Sequence, residues 1–441
     1  MEGSEILQLY EIQYSDLMLL SSSPSPPPSS SSSCSHYLEK MIMENFGPTG
    51  PGLLAVTNVP DASLLRRKLL LLARKLALLS PEDRKRILRD HNLGSDVPLK
   101  NPDRNVSSFA MQLKYDQGLE SIESKPSRVN ENMDKISDFE DGGFDNLERM
   151  FKALGFCMME IGLCLARICD RDIGGNELEQ SLLESCAAKG RLIHYHSVVD
   201  SIVLREAGQR KGSSKSNNHA KRKENLSKST NLETNGNGVR SCGIHSNLWQ
   251  QWHYDYGIFT VLTDPMFLLS SHQATENSEV SNSSDQECVS PSGHSYLQVF
   301  HPNKNKVLMV KSSPESFIVQ VGESADILSK GKLRSTLHCV QRPARLENIS
   351  RETFVVFLQP AWSKSFSISD YPMEHYNPHV QPLEHAEENN FSDQGQNALT
   401  LEIQKLVPPL SARLKDGMTF AEFSRETTKQ YYGGSGLQSN K

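Results

Sequence analysis

The sequence predicts an α+β protein in which a β-sandwich or β-barrel core follows a mainly helical region. From about residue 191 to 360 the apolar segments are short, rich in β-branched and aromatic residues, and separated by Gly, Pro, Ser and Asn clusters. Regular short strands of this kind are typical of antiparallel sandwiches and barrels. Before residue 191 the apolar residues recur at helical spacing instead. The predicted core strands are Leu192–Tyr195, Ile258–Leu262, Leu297–Phe300, Val307–Val310, Phe317–Val321 and Thr353–Leu358.

Length and composition fit a normal folded core plus a good deal of unpacked chain. The 441 residues exceed the usual size of one domain. The hydrophobic fraction of 37% is below the roughly 45–50% typical of compact domains. The net charge of −6 gives no reason to expect a nucleic-acid or membrane surface overall. No apolar run approaches the roughly 18 residues of a membrane helix, so no membrane partner is expected.

The chain divides into four predicted regions. They are 1–36, a disordered Ser/Pro-rich tail; 37–190, a mainly helical region; 191–365, the β core; and 366–441, a C-terminal segment with a helix near 417–432. The tail is predicted to be disordered because its serines and prolines cannot bury enough apolar surface to fold.

Two polar insertions interrupt the β core. Residues 208–246 are rich in Ser, Asn and Lys, and residues 270–293 in Ser, Asn and Glu, so both are predicted to be exposed, flexible loops. The first insertion is basic, which leaves open a contact with nucleic acid or a nuclear-import signal. It lacks the interleaved aromatic residues of a base-stacking surface, so a solvated loop is the favoured interpretation.

Helix signals are clearest between the tail and the core. Residues 62–79 and 81–90 are predicted to be helices, with Ser80 as the N-cap of the second. Asp145 and Glu148 have the spacing of a capping box, which would begin a long amphipathic helix.

Cysteine usage and the N-terminal residues favour a cytoplasmic protein. The eight cysteines include no Cys-x-x-Cys pair, and reduced, structural cysteines fit this usage. The first residues carry Glu2, Glu5 and Glu11 but no arginine, which argues against a signal or transit peptide. We therefore expect a cytoplasmic monomer, with a nuclear location left open by the basic insertion.

A His-x-Asp pair in the β region gives the central indication of chemistry. His253 and Asp255 project from one face if they lie on a strand. His338, far along the chain, supplies a second imidazole. Two histidines and one carboxylate leave three metal positions open, which is the arrangement typical of iron(II) oxygenases. The sequence therefore predicts that His253, Asp255 and His338 are the metal ligands and the catalytic residues.

Arg351 and Thr353 are predicted to form an anion site near the metal. If His338 closes one strand and Arg351 opens its neighbour, Arg351 and Thr353 share a face turned towards the metal. A guanidinium offers a carboxylate two charge-assisted hydrogen bonds, and the hydroxyl takes a remaining lone pair. The pair therefore fits a carboxylate held several ångströms from the metal.

Two other histidine patterns have weaker support. His385 and Glu387 repeat the His-x-acid spacing, but they lie in a polar run without a strand, so His385 is interpreted as a surface residue. His194 and His196 share strand spacing and could form a zinc pair, but no third ligand is evident nearby. Ordinary hydrogen bonds are the favoured explanation for both.

Together these motifs resemble the plant-type 2-oxoglutarate- and iron(II)-dependent dioxygenases related to isopenicillin N synthase. The order His-x-Asp, distal His and Arg-x-Ser/Thr is shared with that family. Three stretches are similar to its strands and turns: the His-x-Asp-x-Gly-x-x-Thr run at 253–260, the Leu-Gln-Val run at 297–299, and a glycine-containing turn with a following strand at 321–329. The resemblance covers roughly 45–432 and is strongest from 249 to 360.

The resemblance implies a distorted double-stranded β-helix (jelly-roll) core and three reagents: Fe(II), 2-oxoglutarate and O2. The keto acid would chelate iron through its 1-carboxylate and 2-oxo group, with its far carboxylate on Arg351 and Thr353. A ferryl intermediate would then remove hydrogen from a substrate C–H bond.

The chain departs from the family pattern without losing a ligand. The usual Tyr-Pro-x-Cys-Pro stretch is replaced by 191–197, in which Tyr195 is a candidate to offer its hydroxyl to the keto acid. Cys339 follows the distal histidine where arginine is common, and Thr353 stands in place of the usual serine. These differences leave the substrate open.

The predicted function is that of an Fe(II)/2-oxoglutarate-dependent dioxygenase that hydroxylates, desaturates or demethylates a small organic molecule. Two alternatives remain. One is a catalytically silent binding module on the same fold, and the other is an oxygenase that acts on a macromolecule through the basic insertion. The complete triad together with Arg351 favours an active enzyme, because a protein that had lost catalytic function would be expected to lose at least one metal ligand.

Overall fold

The computed structural model describes residues 5–22, 32–100, 104–115, 143–213, 248–270, 286–344, 346–369, 371–372, 403 and 406–432. Most of both predicted insertions, and His385, lie outside these residues. The prediction of flexible loops is wrong at two described ends, because 208–213 belong to the helix Val198–Ser213 and 286–288 form the strand Gln286–Cys288.

The helices lie mainly before the β core and again near the C-terminal end of the described chain. They are α1 (Tyr14–Ser22), α2 (Ser32–Phe46), α3 (Ala62–Leu78), α4 (Pro81–Asp90), α5 (Leu147–Ile173), α6 (Glu177–Ser185), α7 (Val198–Ser213), α8 (Glu323–Leu328), α9 (Leu410–Arg413) and α10 (Phe420–Tyr432). No helix among the described residues is both long and apolar enough to cross a membrane.

Helix α4 begins as the sequence predicts, whereas α5 does not. The Ser80 hydroxyl accepts a hydrogen bond from the Asp83 amide at 3.1 Å, which confirms Ser80 as the N-cap. The N-cap of α5 is Asn146, and its side chain makes no capping bond. The predicted Asp145–Glu148 capping box is therefore wrong. Glu148 instead forms an ion pair with Lys152 at 2.7 Å, one turn further along α5.

The strands form two sheets. They are β1 (Ile6–Gln8), β2 (Glu11–Gln13), β3 (Leu53–Thr57), β4 (Val106–Lys114), β5 (Ala187–Tyr195), β6 (Leu248–His253), β7 (Phe259–Thr263), β8 (Met266–Leu269), β9 (Gln286–Cys288), β10 (Leu297–His301), β11 (Lys306–Lys311), β12 (Phe317–Val321), β13 (His338–Gln341) and β14 (Ile349–Leu358). One sheet has the order β1-β11-β10-β13-β6, and the other β2-β3-β12-β7-β14-β5-β4, with β8 and β9 continuing from β14.

This architecture confirms the predicted fold class, an α+β protein with a jelly-roll core. All six predicted core strands are present, within β5, β7, β10, β11, β12 and β14. The segment 321–329 is an exception, because a helix, α8, follows Gly322 where a strand was predicted. Its first turn carries Glu323 and Asp326, and acidic side chains stabilise a helix N-terminus.

The predicted disordered tail, 1–36, is wrong for residues 6–22 and for residues 32–36, with which α2 begins. Strand β1 pairs in parallel with β11, and β2 pairs in parallel with β3. Ile12 and Leu17 are buried. The apolar residues before the Ser/Pro run thus give the chain enough buried surface to extend both sheets and form α1. The Ser/Pro run at 23–31 lies outside the described residues.

Each face of the larger sheet packs against its own apolar cluster. One face packs against the helices, chiefly α3 and α5. The other face packs against the smaller sheet through what we call the interior cluster. Its buried members are Leu9, Leu53, Ala55, Ile193, Tyr195, Trp249, Leu262, Leu297, Val299, Leu308, Val310, Ile318, Val340 and Val355, with Leu7, Val106 and Phe357 partly buried beside them. The space between the sheets is therefore lined by side chains of both.

Candidate metal centre

The structure brings His253, Asp255 and His338 together at the end of the smaller sheet. One ligand atom from each residue lies within 4.8 Å of the others. The Nε2 atoms of His253 and His338 lie 3.7 Å and 3.8 Å from the Asp255 carboxylate oxygens. His253 is the last residue of β6 and His338 the first of β13, and the two residues face each other in the sheet. Antiparallel pairing thus sets the two imidazoles side by side.

The strand geometry expected around His338 is wrong in detail. His338 opens β13 rather than closing a strand, and β13 pairs with β10 and β6. Arg351 lies on β14, which belongs to the other sheet. Asp255 also lies just past the end of β6 rather than on the strand. Arg351 is therefore not on a neighbouring strand, and it belongs to the sheet opposite the two imidazoles.

Backbone carbonyls fix the orientation of both imidazoles. His253 Nδ1 lies 2.7 Å from the Gln251 carbonyl oxygen, and His338 Nδ1 lies 3.0 Å from that of Thr336. Because a carbonyl oxygen only accepts, each Nδ1 must carry the proton, which leaves a lone pair on each Nε2. Both lone pairs belong to the atoms that converge on Asp255. This is the tautomer that a metal-binding histidine requires.

The remaining ligand and the local charges suit a divalent metal. The Thr260 hydroxyl donates to Asp255 Oδ2 at 2.7 Å, which holds the carboxylate in place. Burial and the neighbouring His338 lower the pKa of His253 to about 4, so this imidazole is neutral near pH 7. Two imidazoles and one carboxylate form the donor set of non-haem iron(II) sites.

Arg351 is a buried cation with spare hydrogen-bonding capacity. Its side chain is almost fully buried, and its Nε donates to the Ser295 carbonyl at 3.0 Å. The guanidinium lies 5.2 Å from the ring centre of Tyr195, its partner in β5. Within the described residues its two terminal nitrogens make no hydrogen bond or ion pair. A buried charge is costly unless it is paired, so this site fits an anion.

Thr353 lies two residues further along the same face of β14, as predicted. Its hydroxyl lies 3.4 Å from both the hydroxyl and the carbonyl oxygen of Thr263 on β7. These contacts are long for hydrogen bonds between oxygens. The hydroxyl of Thr353 is therefore only weakly engaged within the protein.

Gln250 connects Tyr195 to the histidines, and no motif in the sequence singles it out. The Tyr195 hydroxyl donates to Gln250 Oε1 at 2.9 Å, and Gln250 Nε2 lies 2.9 Å from His253 Nε2. Residues three apart on a regular strand point to opposite faces. Here the register against β13 shifts between these positions, and such a bulge re-aims side chains. Gln250 and His253 can therefore meet.

The C-terminal helix α10 contacts the backbone between His253 and Asp255. The Tyr254 amide donates to the Tyr431 hydroxyl at 3.1 Å. Beside it, Arg413 and Glu323 form a fully buried ion pair, and the Glu323 amide donates to the Asp255 carbonyl at 2.8 Å. The segment that carries the ligands is thus held by residues of α8 and α10.

His194 and His196 lie apart from the triad, on the helix side of the larger sheet. His194 Nδ1 contacts Glu352 at 2.9 Å, and its Nε2 lies 3.5 Å from Asp200. His196 Nε2 shares a hydrogen bond with Ser107 at 2.9 Å. Each histidine therefore has a hydrogen-bonding partner outside the triad, as the sequence interpretation favoured.

Comparison with known families adds an independent assignment. Residues 269–360 match the model of the 2OG-Fe(II) oxygenase superfamily. This segment contains His338, Arg351 and Thr353, and the family that it matches is the one that the sequence resembles. The chain therefore carries a segment that is similar to the 2OG-Fe(II) oxygenases. No curated protein matches the chain.

Several solved structures match this chain at low sequence identity. A full-length Neurospora crassa protein, crystallised in complex with alpha-KG and 5-formyluracil, has a TM-score of 0.48 and 14% identity, over 91% of this chain and 99% of that one. JOX2 in complex with 2OG, Fe and JA has a TM-score of 0.45 and 13% identity, over 96% of this chain and 86% of that one. The rice dioxygenase for auxin oxidation has a TM-score of 0.43 and 16% identity, over 89% of this chain and 96% of that one.

Proposed function

We propose that this chain is an Fe(II)- and 2-oxoglutarate-dependent dioxygenase that oxidises a C–H bond of a small organic molecule, with His253, Asp255 and His338 as the metal ligands. The observation that supports this best is the convergence of their ligand atoms within 4.8 Å of one another. Iron(II) at this site supplies O2 activation, coupled to oxidative decarboxylation of the keto acid.

The protein's part in this proposal is to hold the ligands in one orientation. The Gln251 and Thr336 carbonyls accept from both Nδ1 atoms, so that each Nε2 faces the metal site, and Thr260 positions the carboxylate. Hydrogen bonds of this kind to the ligands themselves tune affinity and geometry. No proton has to leave His253 before the metal binds, because its pKa of about 4 keeps it neutral.

Arg351 binds the far carboxylate of 2-oxoglutarate in this proposal. Its two terminal nitrogens form a planar fork that matches a carboxylate, and they lie in a buried site. Thr353, on the same face of β14, offers its hydroxyl beside them. Tyr195 lies between Arg351 and Gln250. This position supports a contact between its hydroxyl and the keto acid. The interior cluster around them keeps water away.

Anaerobic spectroscopy tests the proposal directly. Adding Fe(II) and then 2-oxoglutarate to the full chain should give a visible metal-to-keto-acid charge-transfer band. His253→Ala should abolish the band. Arg351→Ala should still bind iron but should need far more 2-oxoglutarate to form it. Arg342→Ala is a matched control, because Arg342 packs on Trp249 at 5.8 Å away from the triad. A wild-type protein with no band, or an Arg351→Ala protein with an unaltered titration, would contradict the proposal.

The substrate class and the monomeric state are tested separately. A library of small organic molecules is screened in air for substrate-dependent succinate release, and sedimentation gives the mass in solution. Iron and 2-oxoglutarate binding without succinate release for any compound would favour the silent binding module.

A further inference from the structure

A second group of charged residues lies on the interior face of the larger sheet. Lys189 and Arg191 are on β5, and they share the strand with Ile193 and Tyr195, which belong to the interior cluster. Residues two apart on a strand share a face. Arg191 accordingly lies with its guanidinium 4.7 Å from the ring centre of Phe357, which packs on the same cluster. These two cations therefore face the space between the sheets.

The sheet register places this group level with the metal ligands. Lys189 pairs with Phe357 on β14, and Phe357 pairs with Thr260 on β7. Thr260 is the residue whose hydroxyl holds Asp255. Lys189 is thus two strands away from Thr260 in one row of the sheet, a separation of roughly 10 Å. Arg351, by contrast, lies near the other end of the same strand, β14, from Phe357. Arg351 and the Lys189–Arg191 pair therefore lie towards opposite ends of the larger sheet.

The charges of this group do not cancel. The Asp96 carboxylate lies 2.8 Å from Lys189 Nζ and 2.5 Å from Arg191 Nη2. Burial alone would raise the pKa of Asp96, but the charges of Arg191 and Lys189 lower it, so the carboxylate is ionised. Two cations and one anion leave an excess of one positive charge.

Arg191 also has an unused donor. Its Nε is buried and makes no hydrogen bond within the described residues, although a nitrogen of its guanidinium pairs with Asp96. The excess charge and the free donor both point to an anionic ligand.

We propose that Arg191, with Lys189 beside it, binds a carboxylate of the molecule that is oxidised at the triad, so that the substrate is a small carboxylic acid. This inference depends on the function proposed above. A single excess charge suits a monocarboxylate better than a phosphate ester, which carries about −1.5 to −2 at pH 7. The Phe357 ring under the guanidinium offers an apolar surface for the rest of the molecule.

Acid and ester pairs test this assignment on the full chain loaded anaerobically with Fe(II) and 2-oxoglutarate. The probes are phenylacetate, trans-cinnamate and octanoate, each against its methyl ester. Binding is read from the change that each probe causes in the charge-transfer band, and turnover from succinate release in air. We expect at least one acid to bind the wild type, with its ester much weaker. Arg191→Gln should bind that acid roughly tenfold to a hundredfold more weakly, the usual effect of losing a charged hydrogen bond. It should still form the 2-oxoglutarate band.

Two further variants separate ligand binding from a structural role. Asp96→Asn removes the competing carboxylate and should bind the acid at least as tightly as the wild type. Arg191→Lys keeps the charge and should restore part of the affinity lost in Arg191→Gln. The proposal is overturned if no acid binds the wild type, if esters bind as well as acids, or if Asp96→Asn and Arg191→Gln lose acid binding equally. Absence of the 2-oxoglutarate band in the wild type would instead contradict the proposed function.

Discussion

The side-chain amide nitrogen of Gln250 lies 2.9 Å from Nε2 of His253. Because the Nδ1 proton of His253 is already committed to the Gln251 carbonyl, Nε2 must accept this bond from the amide. The lone pair that would bind a metal is therefore occupied by a protein donor. A metal that binds here must displace Gln250, and the displaced amide stays beside the Tyr195 hydroxyl.

Replacing Gln250 should therefore make metal binding easier. Gln250→Leu removes a hydrogen bond that competes with the metal, and one such bond contributes about 0.5–1.5 kcal/mol net. We expect the affinity for Co(II), measured by calorimetry on the metal-free protein, to rise roughly twofold to tenfold. Gln298→Leu is a matched control, because Gln298 bonds to Gln341 at 3.2 Å and not to a triad residue. A lower affinity in Gln250→Leu would mean that Gln250 supports the metal instead.

Removing the hydroxyl that positions Asp255 should have the opposite effect. Thr260→Val keeps the shape of the side chain but loses the 2.7 Å bond to the carboxylate. Loss of such a partner typically weakens metal binding about 10- to 100-fold. Thr260→Ser should restore most of the affinity in the same Co(II) titration. Thr263→Val, on the same strand β7, should leave it near the wild-type value, and an equal loss there would point to general damage to β7.

The buried His194 predicts a loss of stability at alkaline pH. Burial alone would lower its pKa, but Glu352 and Asp200 outweigh this and raise it from 6.5 to about 9. The folded state then binds a proton more tightly than the unfolded state. This stabilisation is complete below pH 6.5 and is lost as pH rises through about 9. Unfolding midpoints of the wild type should fall across this window more steeply than those of His194→Gln. Parallel pH profiles would show that His194 is not the group responsible.

The buried pair of Arg413 and Glu323 should be costly to break. Both side chains are fully buried, so Arg413→Met leaves an unpaired carboxylate and should cost about 3–5 kcal/mol in the free energy of unfolding. Urea titration followed by tryptophan fluorescence measures this. Lys364→Met breaks the more exposed pair with Glu177 and should cost no more than about 1 kcal/mol. Adding Glu323→Gln to Arg413→Met should recover part of the loss, and the idea fails if the double variant is less stable than the single.

The residues of the candidate site could be selected from the sequence because each is marked by chemistry that does not depend on the fold. A His-x-Asp pair, a distant histidine and an Arg-x-Thr pair can be recognised in the sequence. The structure brings His253, Asp255 and His338 together. Their placement was less predictable. Which sheet a strand joins depends on long-range pairing, so the assignment of His338 and Arg351 to adjacent strands was wrong.

Three other features could not be predicted, for separate physical reasons. The bulge in β6 that aligns Gln250 with His253 depends on the register against β13, which local sequence does not determine. The sequence does not single out Arg191, because its role depends on tertiary contacts with Phe357 and Asp96. Residues 6–13 are too short to be recognised as strands alone, and they gain their stability from pairing with β11 and β3.

The bond between Tyr254 and the Tyr431 hydroxyl spans 177 positions of the chain. During synthesis, all three proposed ligands leave the ribosome well before Tyr431 does. A nascent chain that already holds His253, Asp255 and His338 still lacks the group that secures the amide between the first two. The site is therefore completed late in translation, and any iron taken up earlier would meet a ligand segment that α10 does not yet hold.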